Sequence, residues 1–454
     1  MVQYPEAFKT QIKTLLSTEE ESDFWASLQS TPITSIRIHP KKFVSNSPNL
    51  HQKVNWCEDG YYLEARPDFT TEPSFWAGAY YVQEASSMFV GHILQHILPN
   101  TAVKVLDLCA APAGKSTHIS SILPTNSLLV SNEVIKTRAS ILAENMQRWG
   151  LQNHLISNND ASFFGGIENF FDIILVDAPC SGEGMFRKDT NAITEWSEAN
   201  VNLCANRQRR IIADVLPSLK EGGYLLYSTC TYNEQENEEN VQWFCENYGL
   251  ETVKIEVPKE WGIVNKQDGC FRFFPHLLAG EGFFLACLRK KGTLQPTISP
   301  KIKKSKWITV LSKKQQASLM PYLTNAEKYE FVLFKDTIFA VPSALLQDIT
   351  YLTEKLLVKT FGVEMGVLKH DELIPAQALA MNTALSKDTP QVNLSKEQAL
   401  MYLKKVDFQL DTTLKGWVLA TYNGLGLGWL KVLSNRFNNY YPTEWRIRKE
   451  IVFD

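Results

Sequence analysis

The stretch Phe171-Asp-Ile-Ile-Leu-Val-Asp177-Ala-Pro-Cys180-Ser-Gly-Glu-Gly184 decides the fold. Its apolar run at 173–176 has the continuous character of a strand covered on both faces, and the Asp, Pro and Gly that follow cannot extend a central ladder. Asp177 and Cys180 are therefore expected at the carboxyl edge of a buried strand. Ligands bind at that edge in open α/β sheets, so an acid and a thiol there point to chemistry. A turn carrying an inert buried Cys is the alternative for these residues taken alone.

Outward from this strand, residues 103–289 alternate strand and helix. Strands are predicted at 103–108, 128–131, 154–157, 172–177, 224–228, 252–255 and 282–288, and helices at 115–123, 136–149, 195–219 and 233–247. The alternation implies a parallel sheet wrapped on both faces and closed by an antiparallel pair. Upstream lie a helical pattern over 4–28, a strand at 35–39 and a segment, 76–88, that leads into an apolar helix at 89–98.

The first strand runs into Asp107-Leu-Cys-Ala-Ala-Pro-Ala-Gly114-Lys-Ser-Thr117 and then a helix. Small residues let backbone approach a ligand, and a helix start offers free amides. A phosphate loop would need a Gly where Cys109 stands. The second strand ends at Asn132-Glu133, an acid placed to accept from a ribose diol, and the third at Asn158-Asn-Asp160. Three such features on one edge imply an adenosine-like ligand. A second thiol, Cys230, ends the fifth strand, and either sulfur could be reactive or inert.

A chain of 454 residues, 44% hydrophobic and 21% charged, is expected to fold as two to four domains. It holds no run of the ~20 apolar residues that a membrane helix needs. The first residues, MVQYPEAFKTQIK, do not read as a signal peptide, so a cytoplasmic location is expected. Eight cysteines without a Cys-x-x-Cys pair argue against a metal site and a disulfide framework. From Arg289 onward 24 lysines and arginines face 15 acids, a balance of +9, which leaves 22 against 34, or −12, for the rest. A basic tail on an acidic body suggests a polyanionic partner.

The segments YYVQEASSM, DLCAAPAGKS, SNE with Arg138, NND, DAPCSGEGMFRKD, YSTCTYNEQENEENV and RFFPHLLAGEGFF together resemble the RNA cytosine-5 methyltransferases of the Nol1/Nop2/Sun group. The tail segments GVEMGVLKHDELIPAQALAM and GLGLGWLKVLSNRFNNYYPTEW resemble its bacterial RsmF type, which acts on the decoding region of 16S ribosomal RNA. The resemblance implies a Rossmann-like class I methyltransferase domain over 76–290. A small N-terminal α+β domain would occupy 1–75, a linker and intermediate α+β domain 291–389, and a PUA-like β-barrel 390–454. It implies S-adenosyl-L-methionine held by Cys109, Ala110, Ala111, Pro112, Ala113, Gly114, Lys115, Glu133, Arg138, Asp160 and Asp177, with no metal. Cys230 is implied as nucleophile, Cys180 as the thiol that assists release, and Asp177 as the contact to the cytosine N3/N4 edge.

The implied partner is 16S ribosomal RNA or the small subunit, met by a monomer away from any membrane. Lys188, residues 272–276 and residues 280–284 are expected near the target base, and Lys431, Arg436, Arg446, Arg448 and Lys449 at the RNA backbone. One departure is visible: Ala113 stands where the family has Gly, compatible with cofactor binding if its φ stays negative. A methyltransferase for DNA or a small molecule, or an assembly factor with a vestigial pocket, are the competing functions.

Overall fold

The computed structural model describes residues 3–43, 48–293, 302, 305–370 and 372–451, with the side chain of Lys266 excepted. The linker expected from residue 291 onward falls, over 294–301 and 303–304, outside these residues.

Strands β1 (Ser35–Ile38), β2 (Leu50–Lys53), β3 (Gly60–Leu63) and β4 (Tyr80–Val82) form an N-terminal sheet in the order β2-β3-β1-β4. The helical pattern before it is two helices, Glu6–Leu15 and Thr18–Gln29. Ser17 separates them: its hydroxyl accepts from the Glu20 amide and its own amide donates to the Glu20 carboxylate, which closes a capping box. Because β4 pairs with β1, this sheet continues past the boundary drawn at residue 75.

The central sheet has ten strands. They are β5 (Lys104–Asp107), β6 (Leu128–Asn132), β7 (His154–Ser157), β8 (Phe171–Asp177), β9 (Leu219–Thr229), β10 (Leu250–Thr252), β11 (Val264–Gln267), β12 (Cys270–Phe273), β13 (Phe283–Lys290) and β17 (Val358–Phe361). Their order is β11-β12-β13-β9-β8-β5-β6-β7-β17, with β10 also on β13. β5 to β9 are parallel and the outer strands antiparallel. Alternation along the strands sends Leu106, Val130 and Ile174 to one buried layer and Val105, Leu129 and Leu175 to the other.

Two predicted helices are shorter than their periodicity suggested. Residues 195–219 break into Thr190–Glu195, Glu198–Val215 and a final turn, because Ser197 caps the long piece and Pro217 ends it. Residues 233–247 become helical only from Glu238, since the preceding side chains are committed to a loop network.

The intermediate region corrects the picture of a separate domain over 291–389. Its strand β17 closes the β7 edge of the central sheet, and Val332, Phe339, Leu352 and Phe361 join the same core as Leu106 and Val130. The reason is physical: β7 is buried throughout, and an open ladder there would leave its backbone groups unpaired. A buried ion pair, Lys104 Nζ to Asp348 Oδ1 at 2.6 Å, adds to the attachment.

The rest of this region forms a sheet of β14 (Thr309–Val310), β15 (Tyr329–Phe334), β16 (Thr337–Pro342), β18 (Val363–Lys369) and β19 (Glu372–Pro375). A PUA-like tail sheet follows: β20 (Gln391–Asn393), β21 (Gly416–Tyr422), β22 (Leu425–Val432) and β23 (Phe437–Asn439). Gly366 on β18 and Gly428 on β22 have φ +128° and +157°. Each faces a register shift, so both serve strand bends.

Candidate active site

β5 and β8 are neighbours where the strand order reverses, so Asp107 and Asp177 end side by side at the carboxyl edge. From β5 the chain folds through a tight loop: the Ala110 amide donates to Asn132 O at 2.8 Å and the Ala113 amide to Ala110 O at 2.8 Å. It then enters the helix Gly114–Ile122. Ala113 caps that helix with φ +100°, in the left-handed region. The expectation of a negative φ is thereby overturned. The reversal into the helix needs a left-handed residue, and here a methyl group is carried there at a steric cost.

The loop's side chains are tied to the neighbouring strands. Lys115 Nζ lies 2.7 Å from Asp177 Oδ2, and Ser228 Oγ on β9 donates to Asp177 Oδ1 at 2.7 Å. Burial pulls the Lys115 ammonium down, but Asp177, Asp107 and Cys230 outweigh it and hold its pKa above the usual value. Asp107 is fully buried; Ser116 Oγ donates to its Oδ2 at 2.6 Å, while Oδ1 has no partner. Burial pushes its carboxyl up to about 7, against the hydrogen bond from Ser116.

Along the edge, Asn132 joins three strand ends. It donates to Leu108 O at 3.1 Å and Asn159 O at 2.9 Å, and accepts from Ser157 Oγ at 2.9 Å. Glu133 is buried, accepts from the Ile135 amide at 3.0 Å and lies 3.4 Å from Arg138, which donates to Ala111 O at 3.0 Å. Arg138 thus braces the loop against the acid. Asp160 is exposed and caps the turn Ala161–Gly166 through Ser162; that amide bond, with burial opposing it, keeps its pKa low.

The structure brings the two thiols together. Cys180 Sγ and Cys230 Sγ are 3.1 Å apart, and the Cys230 amide donates to Cys180 Sγ at 3.3 Å. The hydrogen bond to Cys230, with burial and the nearby charge of Glu236, drives the Cys180 thiol well above the ordinary range. The hydrogen bond and burial thus favour the protonated form of Cys180, and either sulfur can donate across the 3.1 Å contact.

Two buried carboxylates that the sequence reading left without a role hold these loops. Glu236 accepts from the Ser181 amide, from Asn233 at 2.8 Å and from Gln208 at 2.7 Å. Glu183 accepts from the Tyr232 and Asn233 amides at 2.8 and 3.0 Å, from Trp196 at 2.9 Å and from Gln11 at 3.0 Å. Acids three residues after Cys180 and six after Cys230 were the available signal.

Other expectations fared differently. Phe273, Phe274, Phe283 and Phe284 are all core residues, and the Phe283 ring also lies 5.3 Å from Lys115 Nζ. Lys188 and Arg187 both pair with buried Glu281. In the tail, Lys431 pairs with Glu372 and Lys449 with Asp68 at 2.6 Å, while Arg436, Arg446 and Arg448 are exposed.

The unpartnered Asp107 oxygen and the buried Glu133, either side of a small-residue loop and a helix start, fit S-adenosylmethionine. The first suits its cationic amino acid end, the second its ribose. Family models agree along the chain: "N-terminal domain of 16S rRNA methyltransferase RsmF" over residues 4–85, "16S rRNA methyltransferase RsmB/F" over 95–289 and "Methyltransferase RsmF PUA domain" over 389–447. The chain is 30% identical to ribosomal RNA small subunit methyltransferase F of Vibrio vulnificus (strain YJ016) over 467 residues, 98% of each chain.

The chain belongs to the RsmB/F family of 16S rRNA cytosine-5 methyltransferases. The same enzyme of Vibrio parahaemolyticus is 30% identical, over 98% of both chains. Among solved structures, a methyltransferase homolog from Pyrococcus horikoshii matches at 25% identity and a TM-score of 0.55, over 64% of this chain and 96% of that one. NSun6 of the same organism shares the fold at 21% identity and a TM-score of 0.54, over 64% and 100%. As an RsmB/F enzyme the protein is an S-adenosylmethionine-dependent rRNA methyltransferase with a Rossmann-like core and a PUA-like tail.

Proposed function

We propose that Cys230 is the nucleophile, that Cys180 assists release, and that the substrate is a cytosine in the decoding region of 16S ribosomal RNA. The observation that carries this is the pair of sulfurs 3.1 Å apart beside Asp177. Cytosine C5 is a poor nucleophile, and addition of a thiolate at C6 turns it into an enamine carbon. Cys180, whose thiol form is favoured, sits 3.1 Å from the Cys230 sulfur and is placed to hydrogen-bond to it. S-adenosylmethionine, when bound, supplies an electrophilic methyl group. Asp177, oriented by Lys115 and Ser228, accepts from the cytosine N3/N4 edge and steadies the charge that moves there on addition. Water takes the C5 proton, the electron pair left at C5 restores the C5–C6 double bond as the Cys230–C6 bond breaks, and Cys180 donates to the departing sulfur.

The cofactor is held by the Cys109–Lys115 loop, Asp107, Glu133 and Arg138, with Asp160 at its adenine end. The target base must leave any stack to meet Cys230, which requires an extruded or loop cytosine. Arg436, Arg446 and Arg448 provide cations for RNA backbone. The protein works as a monomer in the cytoplasm. Cys230→Ala is expected to abolish turnover and any covalent link to RNA, and Cys180→Ala to accumulate protein linked to RNA on denaturing gels. A link formed by Cys230→Ala reverses the two roles, and product at any atom but cytosine C5 refutes the scheme.

A further inference from the structure

We propose that Leu357, in the region between the second and third family matches, forms a wall of the cofactor's adenine pocket. This rests on the cofactor lying along the β5–β6–β7 edge as above. Leu357 immediately precedes β17 and is 59% exposed, a high value for a large apolar residue with a rigid backbone. Its carbonyl accepts from the Asn158 amide at 3.0 Å, and its amide donates to Asn159 Oδ1 at 3.0 Å. Asn158 Nδ2 also donates to Glu133 O at 2.6 Å and Val134 O at 3.0 Å. One asparagine thus holds Leu357 close to the residue that follows the ribose acid.

Three more exposed apolar side chains stand along this edge: Val134 is 57% exposed, Ile135 50% and Phe163, in the turn capped by Asp160, 57%. Four large apolar side chains around two strand-end acids are a costly surface in water. They are suited to the faces of a purine, with Asp160 left for its polar edge and Glu133 for the ribose. Leu357 reaches the site only because β17 completes the sheet, so a segment outside the matched methyltransferase region supplies part of the pocket.

The test is calorimetric titration of the full chain, without RNA, with S-adenosylmethionine and separately with adenosine. Leu357→Asp is expected to weaken both by about tenfold, an apolar contact exchanged for a charge. Leu357→Met should bind as the parent does, and the melting temperature of the free protein should not move, because the side chain is exposed and its bonds are main-chain. Val134→Asp separates the possible failures. If it weakens binding while Leu357→Asp does not, the Leu357 wall is refuted and the cofactor's position stands. If neither weakens binding, the cofactor does not lie on this edge and both readings fall. A melting temperature lowered by Leu357→Asp in step with affinity makes Leu357 a packing residue and overturns the inference.

Discussion

The cofactor loop and the thiol loops leave the same sheet edge and are held in opposite ways. The loop after β5 is held through its main-chain groups: Ala110 bonds to the Asn132 carbonyl and Ala113 back to Ala110. The side chains of Arg138, Tyr81 and Asn145 reach only its carbonyls, and a helix begins at once. The loops after β8 and β9 are set by buried side chains: Glu236 collects donors from both loops, and Glu183, on the first, collects them from the second and from Trp196 and Gln11. The difference matches their tasks. A loop that offers amides to a ligand must keep its backbone free, whereas two sulfurs that must meet at a fixed spacing need a rigid frame behind them.

That contrast can be broken by experiment. Removing the frame should cost most: Glu236→Ala takes away the acceptor shared by Ser181, Asn233 and Gln208 and leaves the buried Ser181 amide without one. It should lower unfolding free energy by about 3 kcal/mol in denaturant titrations and reduce turnover in step. Unchanged turnover would mean that the sulfurs hold their spacing without it.

The cofactor side should respond to pH instead. Asp107, with a pKa raised to about 7, is protonated below that value in the free protein, and a cationic ligand favours its ionised form. Affinity for S-adenosylmethionine should therefore rise with pH up to about 7 and then level, with proton release on binding below it. Asp107→Asn should flatten that profile. The smallest effect is expected at Ala113→Gly, which relieves the left-handed alanine: stability should rise by about 1 kcal/mol, read as a higher melting temperature. A fall would show that the methyl's packing outweighs its backbone cost.

The same division explains what was legible in the sequence. β7 and the helix Lys136–Trp149 stand where their runs placed them, because apolar period and length suffice for elements of a buried sheet. The strand-end acids and both thiols could be read for the same reason: each follows directly on a strand. The positive φ of Ala113 could not be, since alanine is an ordinary helix former and only the surrounding loop forces it left-handed. Glu183 and Glu236 were in plain view, yet an acid in a polar loop reads as solvated until its partners on other elements are known. β17 was assigned elsewhere because pairing across a distant edge leaves no local trace.

That edge strand has a bearing on how the chain is made. Ser157 and Val358 are ladder partners, so during synthesis β7 waits with one side bare until the intermediate region has emerged. A chain stopped after β13 would hold every acid and thiol of the active site and still expose an apolar, unpaired strand. Fragments of this enzyme are expected to fail by sticking together rather than by lacking a catalytic group.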